Sequence, residues 1–95
     1  MAPLIHPGEI LREELMIPRG LTAAQLARLL KVSSGRIQAV VRQRGNVTAD
    51  LALRLARCFG MSPEMWLNLQ NAYDLERARR KAGKTIAKVR PVRAA

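Results

Sequence analysis

The sequence predicts an all-α chain of five helices, and three observations lead there. Apolar residues recur at intervals of three and four throughout, no useful stretch alternates as a strand would, and capping and stop signals cut the chain into five segments. With 95 residues, 48% of them hydrophobic, the chain is long enough for one core and too short for two. The helical domain is expected over residues 1–83 and a basic tail over 84–95.

Helix 1 starts at Pro7, which suits a first helical position, and Glu9 suits the helix dipole. Ile10, Leu11 and Leu15 form its apolar stripe, and Pro18 with Gly20 ends it. Thr22 with Gln25 three residues later is a capping-box pattern; Leu26, Leu29 and Leu30 give helix 2 a buried face, and Ala27 allows close packing. Helix 3 follows almost at once. Ser33 caps it, Ile37, Val40 and Val41 are its buried residues, and it gives way to a Gly45-Asn46 turn. Two short helices joined so tightly, over residues 22–42, form a helix-turn-helix pattern. Thr48 caps helix 4, Asp50 lies in its first turn, Leu51, Leu55 and Phe59 face inward, and Gly60 ends it. Ser62-Pro63-Glu64 opens helix 5, expected over 63–83, apolar in its first half and basic in its second. Beyond Gly83 no period persists and the chain is expected to fray.

Charge narrows the partners. Seventeen Lys and Arg against seven Asp and Glu give a formal +10, which favours a polyanion, nucleic acid ahead of an anionic membrane. Arg77, Arg79, Arg80, Lys81, Lys84, Lys88, Arg90 and Arg93 fall in a stretch with no acid, so residues 1–76 hold the remaining nine bases and all seven acids. Phosphate attraction and simple solubility both account for such a tail. No apolar run approaches the roughly 20 residues of a membrane span, and the N-terminus lacks the pattern of a signal peptide, so a cytoplasmic location is expected. Cys58 lies in an apolar-periodic segment and reads as a buried small hydrophobe. One His and one Cys make neither a metal site nor a catalytic set, and neither paired carboxylates nor a phosphate-cradling Gly loop occurs. An enzyme is therefore not expected, nor a cofactor.

HPGEILREEL (6–15), LTAAQLARLLKVS (21–33) and MSPEMWLNLQNAYDL (61–75) together resemble the HigA-type antitoxins of bacterial toxin-antitoxin modules, over about residues 4–80. The middle segment resembles any helix-turn-helix of the lambda-repressor-like, or XRE, class; HPGE (6–9) and SPEMWLNLQNAYDL (62–75) are the specific parts. The resemblance implies a five-helix lambda-repressor-like fold, usually a homodimer. It also implies a protein that represses its own operon from a palindromic operator and neutralises a RelE-like toxin that cleaves messenger RNA. A stand-alone phage-repressor-type regulator is the alternative. The class places base contacts at positions matching Ser34, Gly35 and Ala39, and a phosphate contact at Ser33. Three positions depart from its pattern. Ala23 stands where a phosphate-clamping Gln is frequent, Lys31 where the turn often has a left-handed Gly, and Arg42-Gln43 where Asn-Gly often closes helix 3. The last implies a helix 3 about a turn longer.

At about 100° per residue, with Ile37 at the centre of the buried side, Gly35, Ala39 and Arg42 point outward, Gln38 lies on one flank, and Arg36 and Gln43 lie on the other. In a major groove Arg reads guanine and Gln reads adenine, which makes Arg36, Gln38 and Arg42 the base-reading candidates. Ser33 and Arg44 suit phosphates, and Ser34 suits either role. The same polar residues would also make an ordinary solvated face; the helix-turn-helix context favours DNA. Gly35 and Ala39 would form a low ridge letting the backbone approach the groove. Trp66, Leu69 and Tyr73 share a face of helix 5 that reads as core, part of it available to close a homodimer. No motif marks toxin binding, but the acids of helix 1, Glu9, Glu13 and Glu14, suit a basic ribonuclease.

Overall fold

The structure, a computed structural model, describes residues 3–92; Met1, Ala2 and the last three residues, Arg93 of the basic tail among them, lie outside the described residues. The first helix, α1 (residues 7–19), is capped by a histidine. His6 Nδ1 accepts from the Gly8 N–H at 2.9 Å, and Pro7 occupies the first helical position. α1 is α-helical over Pro7–Ile10, widens to a π-helix over Leu11–Met16 and tightens to 3-10 over Ile17–Arg19, where left-handed Gly20 (φ 63°) stops it. Pro18 has no N–H to offer the Glu14 carbonyl. The Arg19 guanidinium donates there instead, at 3.4 Å, and to the Leu15 carbonyl at 3.2 Å, while lying 5.2 Å over the Phe59 ring.

The remaining helices are α2 (Ala23–Leu30), α3 (Ser34–Val41), α4 (Ala49–Phe59) and α5 (Pro63–Ile86). Each opens at the hydroxyl residue its sequence predicts: Thr22, with Gln25 closing a full capping box, then Ser33, Thr48 and Ser62. The ends are less regular. Lys31 takes the left-handed position after α2 (φ 58°), and Gln43 does the same after α3 (φ 62°). Val32 N–H then returns to the Ala27 carbonyl and Arg44 N–H to the Ala39 carbonyl, the long closing bond of a Schellman turn. So α3 stops at Val41 and does not run a turn longer: Gln43 adopts the conformation a glycine would take, at about 1 kcal/mol. α5, by contrast, continues through Ile86, three residues past its expected end.

Leu11, Leu15, Met16, Leu26, Ala27, Leu30, Ile37, Val40, Val47, Leu51, Ala52, Leu55 and Trp66 make one core. Two expectations fail at its edge. Leu29 is 58% exposed and Cys58 is exposed, because both sit on the outer rim between α2 and α4, lining a shallow groove with Lys31, Arg54 and Arg57. Val41 and Phe59 are half-buried against the core. Among the described residues no helix is long and apolar enough to cross a membrane.

Three residues, two at the start of α1 and one in the first half of α5, clasp the turn that follows α3. Gly8 lies against the end of α3 so closely that a Cβ there would fall 1.8 Å from the Val40 carbonyl oxygen. The buried His6 ring is hydrogen-bonded to the Gly45 backbone; with Nδ1 accepting from Gly8, the ring proton sits on Nε2 and donates to that backbone. From α5, buried Gln70 accepts from the Val47 N–H at 2.8 Å and donates to Asn46 Oδ1 at 3.3 Å and Asp74 Oδ1 at 3.0 Å.

Burial pushes the His6 pKa below its ordinary 6.5, against the opposing Gly45 bond and the nearby Asp74 charge. The unfolded chain therefore binds the extra proton first, so the stability this gives is complete above pH 6.5 and lost as pH falls below it. As the chain's one histidine, His6 should give a single imidazole titration by NMR with a midpoint below 6.5, and the urea midpoint should fall between pH 7.5 and 5.5. A midpoint at or above 6.5 would contradict this account.

Candidate nucleic-acid interface

α3 has eight residues, of which Ile37 and Val40 are buried, and its outward side is set by what packs against its flanks. On one flank Arg36 is drawn toward α4. Its guanidinium donates to Thr48 Oγ1 at 2.7 Å and to Asp50 Oδ2 at 3.0 Å, and Arg54 Nε donates to the same Asp50 oxygen at 2.9 Å. The two guanidiniums, Arg54 first, hold the Asp50 carboxyl below its usual range. Arg54 also reaches the Leu30 carbonyl at 2.8 Å, closing the end of α2. One carboxylate thus joins the ends of α2, α3 and α4.

Ala39 is covered differently. The chain folds back over it, Arg44 and Gly45 N–H both donating to its carbonyl, and a Cβ on Gly45 would lie 3.2 Å from the Ala39 methyl. Ala39 is therefore half-buried and forms no ridge with Gly35. The open face is rotated from the expected one toward Ser34, Gly35, Gln38 and Arg42, all exposed. Of the base-reading candidates, Gln38 and Arg42 share this face and Arg36 does not.

Gln38 and Arg42 line a groove with Arg12, Met16, Ile17, Leu21, Ala23 and Val41. Arg12, ion-paired with Glu13, joins this groove from α1, and nothing in the local residue pattern singled it out, because the groove forms only where α1 and α3 come together. Ala23, in the first turn of α2, faces the same groove with a side chain too short to reach out of it. Ser33 and Arg44 are exposed at the two ends of α3, the Ser33 oxygen accepting from the Arg36 N–H at 3.2 Å.

The other surfaces separate as follows. Glu9, Glu13 and Glu14 are exposed and line one groove with Pro3, Leu4, Ile5 and Ile10. Trp66 is 0% exposed, its Nε1 donating to Met61 Sδ at 2.9 Å, so it belongs to the core and offers no dimer contact. Tyr73 is half-buried, its ring edge-on to His6 with centroids 4.7 Å apart. Leu69 is half-buried beside an open concavity shared with Ser62, Glu64, Met65, Asn68 and Ala72.

A short helix presenting Gln, Arg and Ser from a rigid five-helix frame defines a DNA-binding helix-turn-helix protein, and the helix-turn-helix family matches residues 11–66. Virulence-associated protein I of Dichelobacter nodosus is 57% identical over 76 residues, 80% of this chain and 70% of that protein. The structure of antitoxin GraA superposes with a TM-score of 0.93 at 46% identity, covering 97% of this chain and 100% of that one. Pseudomonas aeruginosa antitoxin HigA, solved with the higBA promoter, gives 0.90 at 41%, covering 96% and 100%. The chain belongs to the HigA-type antitoxin family.

The two arginines should behave oppositely in the free protein. Arg36→Ala, which breaks the link to Thr48 and Asp50, should lower the thermal midpoint, whereas Arg42→Ala should stay within about 0.5 kcal/mol of wild type. Thermal melts followed by circular dichroism compare them; equal losses would mean that Arg36 is not held by α4.

Proposed function

We propose that this chain represses its own toxin-antitoxin operon, binding a palindromic operator as a homodimer, and neutralises a RelE-like toxin that cleaves messenger RNA. The observation carrying the DNA part is the open face of α3, where Gln38 and Arg42 stand free beside Ser34 and Gly35 on a helix fixed at both ends. Gln38 and Arg42 read bases, Ser33 and Arg44 hold phosphates, and Ser34 serves either. Arg36 acts by aligning α3, and Ala39 by packing its end. The likeness to an antitoxin solved with its promoter supports this reading.

The homodimer is proposed through Leu69 on α5, with Met65 and Ala72 on the same face and Tyr73 at its edge. The toxin is proposed to bind the groove of Glu9, Glu13 and Glu14, whose apolar floor and acidic rim complement a basic, partly apolar surface.

Titration of the promoter palindrome against a single half-site tests the DNA part. Arg42→Ala should weaken palindrome binding by roughly 5- to 150-fold and relax preference at one base pair. Gly35→Leu should fold as well as wild type, since a Cβ there meets nothing within 4 Å, yet bind more weakly. A dimer should prefer the palindrome; equal affinity for palindrome and half-site, or unchanged binding in both variants, refutes the assignment.

The toxin part is tested apart from DNA. Charge reversal of Glu9, Glu13 and Glu14 to Lys should abolish capture of the adjacent gene's product while operator binding persists. Undiminished capture would remove α1 as the toxin surface.

A further inference from the structure

α5 does two different things along its length. Trp66 and Gln70, in its first half, are buried, whereas its second half leaves the body, and the molecule measures 54 × 27 × 21 Å. From residue 77 onward the sequence holds no acid. At about 100° per residue Arg77, Lys81 and Lys84 fall within about 60° of one another, and Lys88 follows on the same side in the turn after the helix. Arg79 lies on the far side of the helix and Arg80 on the flank of this stripe, and both pair with Glu76. Among the described residues none of Arg77, Lys81, Lys84 and Lys88 joins an ion pair, and all four are exposed.

We propose that Arg77, Lys81, Lys84 and Lys88 form a second, sequence-independent surface for the phosphate backbone of double-stranded nucleic acid, separate from the reading face of α3. The stripe covers eleven residue steps, about 16 Å at helical rise, along which one strand of a duplex presents a phosphate about every 3.4 Å. Each cation bound to a phosphate releases a condensed counterion, so the stripe adds affinity without adding preference. The side opposite it carries Leu75, Ala78, Ala82, Ile86 and Val89, two of the five being alanine and none aromatic. That is too small an apolar face to seat the helix in a bilayer, which takes bulky Leu, Phe or Trp. The role goes beyond operator recognition, since it needs no base contact.

The test uses the full chain and a random-sequence duplex lacking the palindrome, with affinity followed by fluorescence anisotropy over a salt series. Changing all four residues to Gln should reduce the slope of log K against log salt by about 3 to 4 and weaken binding about tenfold or more. The ratio of operator to random-duplex affinity should stay as in wild type, which separates this surface from the α3 assignment. Lys81→Gln/Lys84→Gln is compared with Arg28→Gln/Arg57→Gln, which removes the same net charge from exposed positions on α2 and α4. A larger loss from the α5 pair supports the stripe. Equal losses from both pairs would reduce it to net charge, and an unchanged slope in the fourfold variant would overturn it. So would a loss confined to binding of phosphatidylserine vesicles.

Discussion

The fold depends on one constraint: the turn after α3 has to be held by directional bonds. α3 buries only two apolar side chains, a stripe that says which side faces the core and leaves the exact rotation loose. His6 and Gln70 provide the missing direction, one from the cap of α1 and one from α5, with Gly8 setting how close α1 comes to the α3 terminus. Both polar side chains are buried and use their hydrogen-bonding capacity, so losing either bond would leave a buried group unsatisfied at about 1 to 3 kcal/mol. The geometry is therefore tight even though the helix it positions is short.

The opposite side of α3 is held at the surface. Asp50 accepts from Arg36 and Arg54 while Arg54 closes α2, so the two halves of the helix-turn-helix and the following helix share one carboxylate. These are exposed contacts and individually weak, and their effect is geometric: they turn Arg36 off the open face of α3 and leave Gln38 and Arg42 on it. The polar clasp and this surface network leave α3 little freedom to roll.

Much of this was legible in the sequence, and the boundary follows the range of the interactions. Caps act over two or three residues, and Thr22, Ser33, Thr48 and Ser62 all stand where the residue pattern puts them. Burial was less legible. A helix of eight residues has about two turns of stripe, too few to separate Leu29, which faces out, from Leu30, which faces in. The rotation of α3 was illegible because the bond from Arg36 to Asp50 spans fourteen residues and that from Gln70 to Val47 twenty-three. The segments that carried the family resemblance now have a physical content. HPGE supplies the clasping His6, the first-turn Pro7 and the close-packed Gly8; SPEMWLNLQNAYD supplies the cap, the core Trp66, the clasping Gln70, and the Tyr73 and Asp74 that flank them.

Gly35 shows what such an account leaves over. Gly8 is needed because its neighbour's carbonyl occupies the place of a Cβ, and Gly20 because its backbone is left-handed. Gly35 meets neither condition: its φ is not positive and no atom lies within 4 Å of a Cβ built there. Within the free protein it only lowers helix propensity, by up to about 1 kcal/mol and by less this near an N-terminus. The fold gives it no task. With Ala39 withdrawn under the Gly45 turn, Gly35 is the one low point among the exposed Ser34, Gln38 and Arg42, so the open face of α3 is lowest at the start of the helix and rises to Arg42 a helical turn and more away.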